Sequence, residues 1–179
     1  MHASAHIVLV GPMGAGKTTL GRALAARLGL GFADVDARVE AEAGQPIPAL
    51  FASEGEAGFR RREARALAAL LAGPPAVVAT GGGTVLDPGN RAAMRGAGTV
   101  VYLAVDPAIQ LARLRGDTGR PLLRAGDGDP ARTLADLQAQ REPLYREAAH
   151  LAFDAGALAP DAAAIALADR LAALETCPA

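Results

Sequence analysis

Eight residues near the start of the chain, Gly11-Pro12-Met13-Gly14-Ala15-Gly16-Lys17-Thr18, narrow the choice of fold more than any other stretch. They fill every fixed position of the pattern G-x-x-x-x-G-K-[ST], a loop that wraps phosphates. Such a loop works only between a strand and a helix, and the flanks supply both. Ile7-Val8-Leu9-Val10 is a short β-branched run of the kind buried on both faces of a parallel sheet. After the loop, Leu20, Leu24 and Leu28 trace a helical stripe that ends before Gly29. Glycines let the backbone approach phosphates closely, while the turn's N–H groups and the helix N-terminus face the anion. Lys17 supplies a mobile positive charge, and the Thr18 hydroxyl suits Mg²⁺. Gly14, Ala15, Gly16, Lys17, Thr18 and Thr19 are the expected contacts to a nucleotide's phosphates. Alone, the motif fits GTPases, ATPases, nucleoside monophosphate kinases and small-molecule kinases alike.

The rest of the chain alternates short apolar runs with helical patterns. Strands are expected over 31–36, 76–79, 99–105 and 151–153, and helices over 54–71, 90–95, 108–115, 131–149 and 161–174. Alternation of this kind implies right-handed βαβ units and a mostly parallel sheet covered on both faces. At 179 residues the chain fits one α/β domain. One stretch, 116–130, has no regular pattern and is rich in Gly, Asp and Arg; a loop of that length in a compact domain is usually functional. Net charge is −1, which gives no broad attraction to nucleic acid or an anionic membrane. No run approaches the ~20 apolar residues that span a bilayer, and residues 1–10 lack the parts of a signal peptide. The single cysteine, Cys177, makes no intrachain disulfide. A cytoplasmic, monomeric protein is the expectation.

Three features bear on chemistry. Asp34 and Asp36 end the expected second strand, where carboxylates at i and i+2 share a face and point into the crevice at the strand ends. One would then serve Mg²⁺ through water and the other a substrate hydroxyl; an acidic turn capping the next helix explains the pair equally well. Phe59-Arg60-Arg61-Arg62-Glu63 lies within a helix. It reads either as an exposed charged face with Glu56 and Arg60 paired, or as one arginine aimed at a substrate carboxylate and steadied by Glu63. Only one of three consecutive arginines can face any one direction. Gly81-Gly82-Gly83 follows Thr80 at a strand end where phosphate-loop enzymes usually carry an Asp. It is a plain turn or a place where backbone closely approaches a substrate.

Together these residues resemble the shikimate kinase family. The phosphate loop, Asp34 and Asp36, Phe59-Arg60 with Glu63, the triple glycine, Gly119-Arg120-Pro121-Leu122-Leu123 and Arg141-Glu142-Pro143-Leu144-Tyr145 match it in family order over most of the chain. The resemblance implies a P-loop NTPase-type three-layer α/β sandwich, with a five-stranded parallel sheet in the order 2-3-1-4-5. It implies a single kinase domain over 1–179, with an acceptor-binding segment at about 34–62 and a lid at about 114–130. It implies ATP and Mg²⁺, and phosphorylation of the 3-hydroxyl of shikimate. By the same resemblance Lys17, Asp36 and Arg120 are catalytic, Thr18 and Asp34 serve the metal, and Arg113 lies near adenine. Arg60, Arg141, Gly81, Gly82 and Gly83 join Asp36 in binding shikimate. The chain departs from the family in a Gly-rich lid and in 155–159, which lacks the polar residues members often place near the base. Gluconate kinase, with a polyhydroxy acid as acceptor, is the nearest alternative enzyme, and a nucleotide-dependent regulator that has lost turnover is the alternative of another class.

Overall fold

All five residues of β1 (His6–Val10) are buried, as its β-branched run predicts. In the computed structural model, which describes residues 5–114, 129–156 and 158–175, this strand is the centre of the sheet. β3 (Ala76–Ala79) and β4 (Gly98–Ala104) pair with it on either side, both parallel. β2 (Gly31–Asp34) adds to β3 and β5 (Leu151–Asp154) to β4, giving the order β2-β3-β1-β4-β5. This is the expected sheet. The expected strands at 99–105 and 151–153 shift by a residue at one or both ends.

Period-two alternation divides the core into two layers. Ile7, Leu9, Val77, Val101 and Leu103 face α1 (Lys17–Leu28) and the last helix, Pro160–Glu175, meeting Leu20, Leu24, Leu167 and Leu171. Val8, Val10, Val78, Val100 and Tyr102 face the opposite way. There they meet α2 (Val35–Ala43), α3 (Ile47–Leu71), α4 (Pro88–Ala97) and α6 (Pro130–Ala148) through Val39, Leu50, Phe59, Leu67, Met94 and Tyr145. α5 (Pro107–Leu114) follows β4, and Pro160–Glu175 is α7. Each fully buried Leu or Val contributes about 1.5–3 kcal/mol by leaving water. No helix among the described residues is long and apolar enough to cross a membrane.

His6 ties the start of β1 to the connection between α3 and β3. The Ala76 N–H donates to its Nδ1 at 3.3 Å, so Nε2 carries the hydrogen and donates to the Leu71 carbonyl at 3.1 Å. At the other end of the sheet, Leu9 registers with Ala79, and Ala79 with Asp34. The carboxyl ends of β1, β2 and β3 therefore stand side by side, the usual place for a ligand crevice in an open α/β sheet.

Two elements depart from expectation. The strand expected over 31–36 stops at Asp34, because the Asp34 side chain accepts from the Asp36 and Ala37 N–H groups and starts α2 there. The helix expected over 54–71 begins at Ile47 and is interrupted at Gly55. The segment 115–128, with Arg120 and the Gly119–Leu123 match, lies outside the described residues, as does Cys177.

Candidate active site

The phosphate loop is shaped from several sides. Gly14 and Gly16 take positive φ, 75° and 87°, and Gly16 is the N-cap of α1. A Cβ on Gly11 would stand 2.6 Å from the Leu103 carbonyl oxygen, so β4 can pass only a glycine there. From outside, α5 grips the loop. Gln110 Nε2 donates to the Met13 carbonyl at 2.9 Å and Arg113 Nη1 to the Gly14 carbonyl at 3.1 Å. Ala15 points its methyl into the core, and its N–H bonds the Pro12 carbonyl at 3.3 Å. Lys17 is buried, and its Nζ donates to the Gly11 and Pro12 carbonyls, both at 2.7 Å.

A cavity of about 250 Å³ opens above this loop. Gly14, Gly16, Lys17, Thr18 and Thr19 line it from the loop and α1, with Asp34, Asp36, Gly81, Gly82 and Arg113. Thr18 Oγ1 donates to Asp34 Oδ2 at 2.7 Å, while Asp34 Oδ1 caps α2. One carboxylate thus joins the end of β2 to the starts of α1 and α2. Both aspartates do face the cleft, but not by sharing a strand face. Asp34 caps, and Asp36 sits in the first turn of the helix that follows. Thr80 stands where such enzymes usually place an Asp. Its hydroxyl donates inward to the Leu9 carbonyl at 3.0 Å.

The triple glycine is a meeting point. A Cβ on Gly81 would lie 2.6 Å from Glu63 Oε1 and 2.8 Å from Asp36 Oδ1, so its absence lets two carboxylates converge. The Arg60 guanidinium lies against Gly83 so closely that a Cβ there would overlap it. Arg60 Nη1 donates to Glu63 Oε2 at 2.8 Å, and Nη2 donates to Glu56 Oε1 at 3.1 Å. Both expected partners are in place: Glu56 pairs with Arg60, and Glu63 steadies it against Gly83. Burial pulls the Arg60 guanidinium downward, and the charge and hydrogen bonds of Glu63, with those of Glu56, outweigh this to leave a net upward shift. Glu63 is fully buried and takes a second hydrogen bond from Thr84 Oγ1 at 2.7 Å.

α6 closes this side. The Tyr145 hydroxyl donates to the Gly82 carbonyl at 2.5 Å, and its ring stacks on Tyr102 with centroids 5.2 Å apart. Burial pushes the Tyr145 hydroxyl far up from its ordinary value, against the opposing charge and hydrogen bond of Arg141. The charge of Arg60 lowers it slightly as well. Arg141 is buried, and its Nε has no hydrogen-bond partner among the described residues. Thr84, Gln110 and Tyr145 in its positioning role were not found from sequence, although Tyr145 lies in the matched run Arg141–Tyr145.

The shikimate kinase family model matches residues 13–172 of the chain. A shikimate kinase of Stenotrophomonas maltophilia is 51% identical over 154 residues, covering 86% of this chain and 84% of that one. A solved shikimate kinase from Acinetobacter baumannii, in complex with shikimate, superposes with a TM-score of 0.92 at 41% identity, covering 97% of this chain and 96% of that one. A gluconokinase from Sinorhizobium meliloti reaches only 0.57 at 22% identity, covering 97% of this chain and 96% of that one, and shares the fold alone.

Proposed function

The chain belongs to the shikimate kinase family, and on that premise we propose how its residues divide the work of moving the γ-phosphoryl group of ATP onto the 3-hydroxyl of shikimate. Phosphoryl transfer asks mainly for positioning and for stabilisation of charge. The loop N–H groups and Lys17 hold the β- and γ-phosphates. Lys17 leaves the loop carbonyls it bonds and follows the negative charge. Arg113, already anchored to the loop at Gly14, lies against the nucleotide base.

Thr18 and Asp34 suit Mg²⁺. They are hard oxygen donors joined by a 2.7 Å hydrogen bond beside the phosphate cradle, and Mg²⁺ takes one or two such groups plus waters and phosphates. When bound, it would neutralise charge on the β- and γ-phosphates.

On the acceptor side Asp36 hydrogen-bonds the shikimate hydroxyl and takes its proton as the new bond forms. Arg60 and Arg141 grip the shikimate carboxylate, and the backbone of Gly81, Gly82 and Gly83 lies along the ring. Arg120 is assigned to the phosphates, and 114–130 to a lid, by the family resemblance alone. The chain works as one kinase domain, as a monomer in the cytoplasm; sedimentation tests the monomer.

The observation that carries this reading is the convergence of Asp36, Glu63 and Arg60 on the triple glycine, of which Gly81 and Gly82 line one cavity together with Asp36 and Lys17. The test is ADP release from MgATP with shikimate, with D-gluconate and with no acceptor. Rapid release with shikimate only is expected. Equal release with gluconate, or none with either, overturns the acceptor assignment.

A further inference from the structure

The run Arg60-Arg61-Arg62 holds more than the acceptor site uses. Arg62 points about 200° around the helix from Arg60, away from the cleft. It meets Glu54: Arg62 Nε donates to both carboxylate oxygens, at 3.1 and 2.9 Å, and Nη2 donates to Oε1 at 2.7 Å. These residues are eight apart. On an unbroken helix they would stand roughly 12 Å apart along the axis, beyond the three- and four-residue spacings at which helical side chains ordinarily meet.

Two glycines bring them together. Gly55 has φ 68° and ψ 179°, a conformation essentially confined to glycine, and it breaks α3 into two halves. A Cβ on Gly58 would lie 2.5 Å from the Glu54 Cβ, whereas such positions on a regular helix are about 5–6 Å apart. The bare Cα of Gly58 therefore lets Glu54 fold down over the following turn and reach Arg62.

The two halves pack on each other beside Arg60. Leu50 and Phe51 lie before the break, and Phe59 and Arg60 after it. Phe51 packs on Phe59 with ring centroids 4.8 Å apart, and the Arg60 guanidinium stands 5.2 Å from the Phe59 ring. The angle at Gly55 thus sets how Phe51 meets Phe59, and through it where Arg60 points.

We infer that the Glu54–Arg62 pair is a latch across the Gly55 break, and that both are positioning residues which hold Arg60 ready for the acceptor's carboxylate. This rests on the role given to Arg60 above. The pair borders an open groove of about 440 Å³, so solvent and salt reach it.

The experiment compares wild type with Glu54→Gln, Arg62→Gln and the reversed pair Glu54→Arg/Arg62→Glu. It reads KM for shikimate and for MgATP, kcat, and backbone amide exchange over 50–59 in the protein without substrates. Each single variant is expected to raise the shikimate KM about two- to fivefold, in keeping with a half-exposed ion pair. MgATP KM and kcat stay as in wild type, exchange over 50–59 quickens, and the reversed pair restores both. A shikimate KM unchanged in the single variants, a matching fall in kcat, or a reversed pair no better than the worse single variant overturns the inference. Arg60→Ala is the control. An unchanged shikimate KM there removes the role of Arg60 and the coupling drawn from it, whereas unchanged exchange in Glu54→Gln removes the latch itself.

Discussion

Lys17 reaches backbone carbonyls directly, whereas Arg60 is held by Glu63, which is held in turn by Thr84. That contrast runs through the cleft. The glycine loop is backbone shaped into a cradle, secured from behind by Gln110 and Arg113. The side proposed for the acceptor is a relay of side chains resting on three glycines. A backbone cradle depends on its glycines and on the single charge it presents, and little on how other side chains lean on one another. In a relay each group's position depends on the next, so single changes spread, and combined changes do not add.

The sharpest way to break the comparison is to remove each side's central charge. Lys17→Met is expected to lower kcat roughly a hundred- to a thousandfold while shikimate binding, followed by titration, stays near wild type. Glu63→Ala acts differently. It leaves Arg60 with Glu56 alone and the Thr84 hydroxyl without its carboxylate, and should lower stability by about 3 kcal/mol in urea unfolding and raise the shikimate KM together. Adding Arg60→Ala to it should cost far less than the sum of the single changes; simple additivity would show that no relay exists.

A smaller change sharpens the picture. Tyr145→Phe keeps the stacked ring but leaves the Gly82 carbonyl without its donor, costing about 1–2 kcal/mol. Shikimate KM should rise several-fold and MgATP KM stay constant, as steady-state kinetics would show. The smallest effect lies outside the cleft. Burial first, and then the nearby Arg95 charge, hold the His150 imidazole below its usual value, and its Nδ1 accepts the Val100 N–H at 3.0 Å. The folded state binds this proton less readily than the unfolded one. The stability it contributes is whole above about pH 6.5 and shrinks as pH falls through the lower folded value. The gap in melting temperature between wild type and His150→Ala should narrow from pH 7.5 to pH 5, with catalysis unchanged.

The same contrast explains what was legible in the sequence. A backbone cradle needs glycines at fixed spacings between a strand and a helix, and Gly11 to Thr18 displays them. Strand runs such as Ile7–Val10 were legible because buried parallel strands are uniformly apolar. The sheet order came only with the family resemblance, since it depends on pairings between distant segments. The first two residues of α2, Val35 and Asp36, read equally as the polar end of a strand, because the helix start is signalled by one capping side chain, Asp34. Residues 47–53 of α3 carry no legible helical signal because Gly55 breaks the pattern between them and the rest of the helix. Glu63 was read as Arg60's partner from its spacing, but its burial and its bond to Thr84 depend on residues 21 positions apart. Tyr145 bonds a carbonyl 63 positions away, and no local pattern records that.

The central place of β1 has a further consequence, for the order of assembly. Its neighbours, β3 and β4, begin at Ala76 and Gly98, so the strand that carries the phosphate loop has no local partner. On a ribosome adding about 5–20 residues per second, β1 waits roughly 4–14 s for the first strand it pairs with to be made. Through that interval Ile7-Val8-Leu9-Val10 is an apolar segment with open edges, and chaperone binding or aggregation competes for it. The binding loop therefore cannot take shape until more than a third of the chain exists.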